Sequence, residues 1–394
     1  MTRHSLRRAA AAALGVAALG IAALGGPVRP ETARADQVTL TISGSTQMYT
    51  LGQLMATKYM STHPGLQINV NPTSSQFGFD NSCSGSIDIG MSDVYIQDKQ
   101  IGELGCGDMV GIPIAVSATP VIYNLPGASF NQKQSDGFTL AHPVKLTASV
   151  LSDIYSCKVT RWNDPAIAGL NKGLTLPAQN IRVATSSEPG GSGFVFDQWL
   201  AYSIASWNSK VGVGLQPAWP CGIGQPSSGT MIQYVTGTPY SIGFAGFDYA
   251  ITNHVQTAML RNASGVYQNP SLNGLSYAIE RALRDGFPHD FRKSFVLAKD
   301  PGGSHHSFNP ADFEFFTVHS NMTSGTGTRL PAVRQAIKAF LTWCIAANGG
   351  QAFIASIELH KIGKGTQTEL AHGFVPVPKE VRDTIAHTVD QIKV

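Results

Sequence analysis

Between Ile181 and Phe196 the chain reads as a strand, a Gly-rich turn and a helix start, with Ser186-Ser187-Glu188-Pro189-Gly190-Gly191-Ser192-Gly193 forming the turn. A strand passing directly into a helix is the building block of α/β sheets. The turn also has a chemical consequence, because free backbone N–H groups and a hydroxyl at a helix N-terminus favour an oxyanion. Two similar loops lie upstream, Ser43-Gly44-Ser45-Thr46 and Thr73-Ser74-Ser75, and the second is followed by the acid in Gly90-Met91-Ser92-Asp93. Three such nests and one carboxylate predict a clamp for an oxyanion.

The periodicities around these loops agree with that architecture. Val38, Leu40 and Ile42 alternate with polar residues as a half-buried strand. Met48, Leu51, Met55 and Tyr59 then fall on one helical face, which stops before His63-Pro64. Leu66, Ile68 and Val70 make the next strand, completing a β-turn-α-β unit of a mostly parallel sheet. Ile87 to Met91 is a short strand, and the apolar run from Gly111 to Tyr123, interrupted by Pro113 and Pro120, reads as a strand passing between lobes. Helices are expected over Leu146–Ile154, Pro165–Leu170, Gly193–Ser206, Ser271–Asp285, Pro331–Ala347 and Val381–Ile392, with a second return strand over Tyr240–Phe247. Lys299 to Arg329, rich in Gly, Ser and His, reads as a surface loop. Two crossings divide the chain into one lobe over residues 36–118 and 248–394 and another over 119–247, the plan of receptors that close around a ligand.

Composition narrows the partners. Arg3, Arg7 and Arg8, an uncharged run from Ala9 to Gly26, and Ala33-Arg34-Ala35 read as a cleaved secretory signal peptide over residues 1–35. That segment has no Cys to carry a lipid. The whole chain has 28 Lys and Arg against 25 Asp and Glu; without the leader's five Arg and one Glu the balance is 23 against 24. The basicity belongs to the leader, so no nucleic-acid partner is expected, and no second run is long and apolar enough to suggest a membrane span. The five cysteines, Cys83, Cys106, Cys157, Cys221 and Cys344, show no metal spacing, and export favours two disulfides with one spare thiol. Spacing leaves the pairing open; we expect Cys83 with Cys106 and Cys157 with Cys221, each closing a loop within one lobe, and Cys344 buried in a helix.

Over nearly all the mature sequence, the chain resembles the phosphate-binding proteins of bacterial phosphate ABC transporters. The matching stretches include Ser43-Gly44-Ser45-Thr46, Ile87-Asp88-Ile89-Gly90-Met91-Ser92-Asp93 and Val121-Ile122-Tyr123-Asn124-Leu125-Pro126-Gly127. More specific is Leu146-Thr147-Ala148-Ser149-Val150-Leu151-Ser152-Asp153-Ile154-Tyr155 followed by Arg161-Trp162-Asn163-Asp164-Pro165. Gly191-Ser192-Gly193, Ser241-Ile242-Gly243-Phe244, Phe340-Leu341-Thr342-Trp343 and Gly373-Phe374-Val375-Pro376 complete the pattern.

The resemblance implies an α/β, two-lobed periplasmic-binding-protein fold of type II, with two mixed sheets, flanking helices and a hinge of crossing strands. It further implies a monomeric, periplasmic or secreted receptor that captures inorganic phosphate for the membrane subunits of an ABC importer, with no cofactor and no turnover. Carried over residue by residue, it implies Thr46 and the amide of Gln47, Ser75 with Ser74 as the register alternative, Asp93, and Ser192, Gly193 and the amide of Phe194. The role of Asp93 follows independently, since a carboxylate facing an oxyanion repels it unless the ligand carries a proton to donate.

One position departs from the family. Where the resemblance places an Arg, four residues before the Ser of the third loop, this chain has Glu188, or Ser187 with a one-residue insertion. A Glu about 4 Å from the anion costs roughly 4 kcal/mol at an effective dielectric near 20. Either Glu188 turns outward, Arg182 or another base substitutes, or the ligand is a different oxyanion or a small polar solute. A phosphate-scavenging phosphoesterase on the same fold would need an activated nucleophile or metal. Phe194 breaks the Gly-x-Ser-x-Gly elbow, and the adjacent His305 and His306 point apart, so no metal site is expected. Thr46 reads equally well as a helix N-cap, and Ser227-Ser228-Gly229 as an N-cap or a fourth cleft loop.

Overall fold

The computed structural model describes residues 37–130, 143–284, 305–357, 359–362, 367–370 and 372–394. The expected signal peptide lies outside the described residues. Two mixed sheets carry the architecture. A six-stranded sheet runs in the order Val375–Pro376, Met109–Ala118, Ala311–His319, Ile89–Ser92, Val38–Gly44, Leu66–Pro72. Its last three strands are parallel to one another, whereas Ala311–His319 runs antiparallel to both of its neighbours. A five-stranded sheet follows the order Ile223–Gln225, Arg182–Ser186, Ser241–Phe244, Val121–Asn124, Gln256–Thr257.

The local signals explain most elements. The helix Tyr49–Met60 buries Leu51, Met55 and Tyr59 at helical spacing against Leu66–Pro72, and Leu40 and Ile42 point into the same core. Gly44 must lack a side chain: its φ is +148°, and a Cβ there would lie 2.1 Å from the Met91 carbonyl oxygen. That close approach brings the first two nests and the end of Ile89–Ser92 together. The helices Pro331–Ile345 and Lys379–Asp390 cover the six-stranded sheet, and Gly191–Ser203 covers the five-stranded one. Cys83 joins Cys106 and Cys157 joins Cys221, with Cα separations of 5.8 and 6.1 Å, while Cys344 is a buried free thiol.

The chain passes from the six-stranded to the five-stranded sheet at Thr119-Pro120, between Met109–Ala118 and Val121–Asn124. Its return corrects the sequence reading. Ser241–Phe244 lies within the five-stranded sheet, and Gln256–Thr257 still pairs there with Ile122 and Tyr123, so among the described residues the next strand of the six-stranded sheet is Ala311–His319. This last strand is the second correction, because it lies inside the expected surface loop over Lys299–Arg329. Phe313, Phe315, Phe316 and Val318 are buried; the Gly, Ser and His that read as loop flank this apolar stretch on both sides. Its register against Met109–Ala118 shifts between Glu314 and Phe315, opposite Pro113, which has no N–H for the ladder.

Candidate functional site

Helix starts and strand ends converge on one cavity of about 340 Å³, its mouth included. Ser45 and Thr46 come from the end of Val38–Gly44, Ser74 and Ser75 from the start of the helix Ser75–Cys83, and Asp93 from the residue after Ile89–Ser92. From the five-stranded side come Ser186, Glu188, Gly190, Gly191, Ser192 and Gly193, then Gln225, Ser227 and Ser228. The two sides touch. The Thr46 hydroxyl meets the Ser228 hydroxyl and accepts from the Ser228 N–H, both at 3.3 Å, and the Gln76 N–H donates to the Pro189 carbonyl at 3.4 Å.

Of the residues implied by the resemblance, Thr46, Ser75, Asp93, Ser192 and Gly193 line this cavity, as does the alternative Ser74. The two single amides do not face it. The Gln47 N–H donates to Ser45 Oγ at 3.0 Å, and the Phe194 N–H donates to the Gly190 carbonyl at 3.3 Å as the first full turn of its helix closes. The N–H groups that a helix start leaves free are those of Gly191, Ser192 and Gly193. Thr46 is not an N-cap, since the helix begins at Tyr49 behind Met48. Ser227 caps the helix Ser228–Gly237 in a capping box with Thr230 and lines the cavity as well, so both readings of that loop hold.

Gln47 acts instead through its side chain, which is fully buried. Its Nε2 donates to Glu314 at 2.8 Å, and its Oε1 accepts from the Ser192 hydroxyl at 3.0 Å and from Thr119 at 3.3 Å. One amide thus ties the first nest, the inter-sheet crossing, the central strand and the third nest. Sequence reasoning missed this because Glu314 is 267 positions away. Gly246 makes room for it, as a Cβ there would lie 2.6 Å from Gln47 Cγ.

The electrostatics of the cavity are unusual for an anion site. No Lys, Arg or His lines it among the described residues, and Arg182 is exposed on its strand away from it. Glu188 does line it, so neither an outward turn nor substitution by Arg182 accounts for the missing guanidinium. Asp93 is 2 % exposed, and its Oδ1 has no partner among the described residues. Burial pushes its carboxyl up to about 6, opposed by the neighbouring Ser45 hydroxyl and Glu314 carboxyl. Burial and then the Asp93 charge raise Glu188 to about 7. Behind Asp93, Glu314 and Asp312 are pushed well above the carboxylate range, first by burial and then by the Asp93 charge, to which Asp312 adds at Glu314. Their free oxygens, Glu314 Oε2 and both of Asp312, are shut off from water.

These shifts have a consequence for stability. Burial also raises Asp197 to about 7 and Asp248 to about 6, so with Asp93 several carboxyls hold protons more tightly folded than unfolded. The folded chain then binds more protons across this window, and that contribution is complete below about pH 4 and lost as pH rises through 6 to 7. The melting temperature of the ligand-free protein is expected to fall by on the order of 5 °C from pH 5 to pH 8. A rise over that interval in a calorimetric scan would mean that these carboxyls are ionised in the folded chain.

Two mixed sheets with a cavity ringed by helix starts define a two-lobed α/β solute-binding protein. The chain belongs to the PBP superfamily, whose domain model matches residues 28–346. It is 26 % identical over 343 residues to the phosphate-binding protein PstS of Pasteurella multocida, covering 87 % of each chain. Among solved structures it resembles a periplasmic phosphate-binding protein, PfluDING, with a TM-score of 0.62 and 15 % identity over 89 % of this chain and 93 % of that one. A human phosphate-binding apolipoprotein has the same TM-score at 13 % identity, with coverages of 88 % and 93 %.

Proposed function

We propose that this protein is a receptor for inorganic phosphate, which it holds unchanged in the cavity between its sheets and delivers to the membrane subunits of an ABC importer. The observation that carries the reading is that three hydroxyl-bearing loops and the Gly191–Gly193 amides line one cavity together with Asp93, whose buried Oδ1 has no partner among the described residues. Donors arrayed around one buried acceptor suit a small oxyanion that still carries a proton. The relationship to PstS, along most of both chains, supports phosphate as that oxyanion. Ligand exchange would follow from the two sheets parting about the Thr119-Pro120 crossing, as a monomer outside the cytoplasm after removal of its leader.

The cavity residues assigned to the ligand are Thr46, Ser75, Asp93, Ser192 and Gly193, joined by Gly191 and Ser228. Isothermal titration of the stripped protein is expected to show one-to-one binding of phosphate and arsenate and none of sulfate, which has no proton to offer Asp93. Heat with sulfate alone, or with neither anion, would overturn the assignment. Asp93→Asn is expected to narrow the preference for phosphate over sulfate by at least about tenfold, more than it weakens phosphate itself. Unchanged selectivity would place Asp93 outside the ligand shell.

A further inference from the structure

The phosphate reading leaves the second acid of the lining, Glu188, without a role. Glu188 sits in the turn between Arg182–Ser186 and Gly191–Ser203, while Asp93 reaches the cavity from the other sheet. The rest of the polar lining is hydroxyls, backbone N–H groups and the Gln225 amide. The Ser192 and Ser186 hydroxyls donate to Gln47 Oε1 and the Glu188 carbonyl, the Thr46 and Ser228 hydroxyls meet, and the other hydroxyls and the N–H groups of Gly191, Ser192 and Gly193 are left for a ligand. Two carboxylates therefore face one ligand with no lining cation among the described residues. An anion carrying a single proton can satisfy only one of them, and the other would confront a bare anionic oxygen. An anion carrying two protons presents two O–H donors to the two carboxylates and keeps two oxygens for the hydroxyls and amides.

We propose that Glu188 is a second proton-reading residue and that phosphate is held with two protons in the site, one directed to Asp93 and the other shared with Glu188. The inference rests on the phosphate reading and goes beyond it by assigning the protonation state of the bound ligand. No bond to phosphorus changes; when phosphate arrives in its dibasic form, one of its oxygens takes a proton from solvent and forms a second O–H bond. Asp93 faces Glu188 across the cavity, Glu314 and Asp312 lie behind Asp93, and Tyr249 from the helix Phe247–Thr252 also senses its charge. Burial holds Tyr249 up at about 12, and Glu314 and Asp312 stay buried behind the cavity. Between pH 8 and 9, where free phosphate is dibasic, the proton count of the complex thus falls to Glu188 and the ligand.

The experiment is isothermal titration with inorganic phosphate at pH 6.5, 8 and 9, using two buffers of different ionisation heat at each alkaline pH. The intact chain is expected to take up about one proton per phosphate at pH 8 to 9, and its Kd to rise about tenfold between those values. Glu188→Gln needs only the proton that dibasic phosphate brings, so its uptake is expected to vanish and its Kd to stay within about twofold over the same interval. A flat profile without uptake in the intact chain overturns the inference while leaving the phosphate reading in place. Retention of the slope in Glu188→Gln, with its fold confirmed by circular dichroism, overturns it too by putting the proton elsewhere. Absence of phosphate binding by the intact chain at all three pH values removes the phosphate reading and this inference with it.

Discussion

Gly191→Ala is expected to weaken phosphate binding about a hundredfold, the equivalent of two lost charge-assisted hydrogen bonds, while the ligand-free protein melts within a few degrees of the parent. A Cβ at this position would lie 2.4 Å from Asp93 Oδ2 and 2.5 Å from Asp93 Cβ. The second contact decides the outcome, because an Asp93 rotamer change can relieve the first but cannot move a Cβ. Relief requires the helix Gly191–Ser203 to retreat from Asp93, which separates the third nest from the other two. The collision lies between the two sides of the cavity and not within either sheet's core, so the fold tolerates it and closure does not. Titration with phosphate and a thermal melt measure the two quantities. Full affinity in Gly191→Ala would show that this helix and Asp93 do not approach each other in the complex.

Gln47→Leu is expected to destabilise the chain by about 3–4 kcal/mol, read as the free energy of urea unfolding without ligand. The substitution nearly conserves volume but withdraws the donor from Glu314 and the acceptor from Thr119 and Ser192 at one stroke. Each buried polar group left alone costs about 1–3 kcal/mol, with the groups nearest the cavity mouth at the low end. Thr119→Val removes a single long hydrogen bond and is expected to cost about 1 kcal/mol. Equal losses in the two variants would mean that the Gln47 amide is not the joint between the central strand and the nests.

Legibility differed by residue and for identifiable reasons. The helix read from Met48, Leu51, Met55 and Tyr59 exists over Tyr49–Met60, because its apolar spacing and the Ser/Gly loop before it are local. The two disulfides follow the expected pairing. The strand Ala311–His319 lies inside a segment whose Gly, Ser and His content reads as loop, and it carries Glu314, a residue type almost never fully buried; only its packed neighbours reveal that Glu314 is. The same neighbours turned Gln47 from an expected backbone donor into a side-chain hub.

The strand-turn-helix units and their three hydroxyl-rich nests were determined by the sequence itself, since periodicity and helix-start chemistry act within a few residues. Tertiary structure alone decided which members of each nest face the cavity, that Glu188 lines it where a cation was expected, and that Glu314 and Asp312 stand behind Asp93. Burial and facing depend on residues distant in the chain, as with Gln47 and Glu314, and no local pattern encodes that pairing.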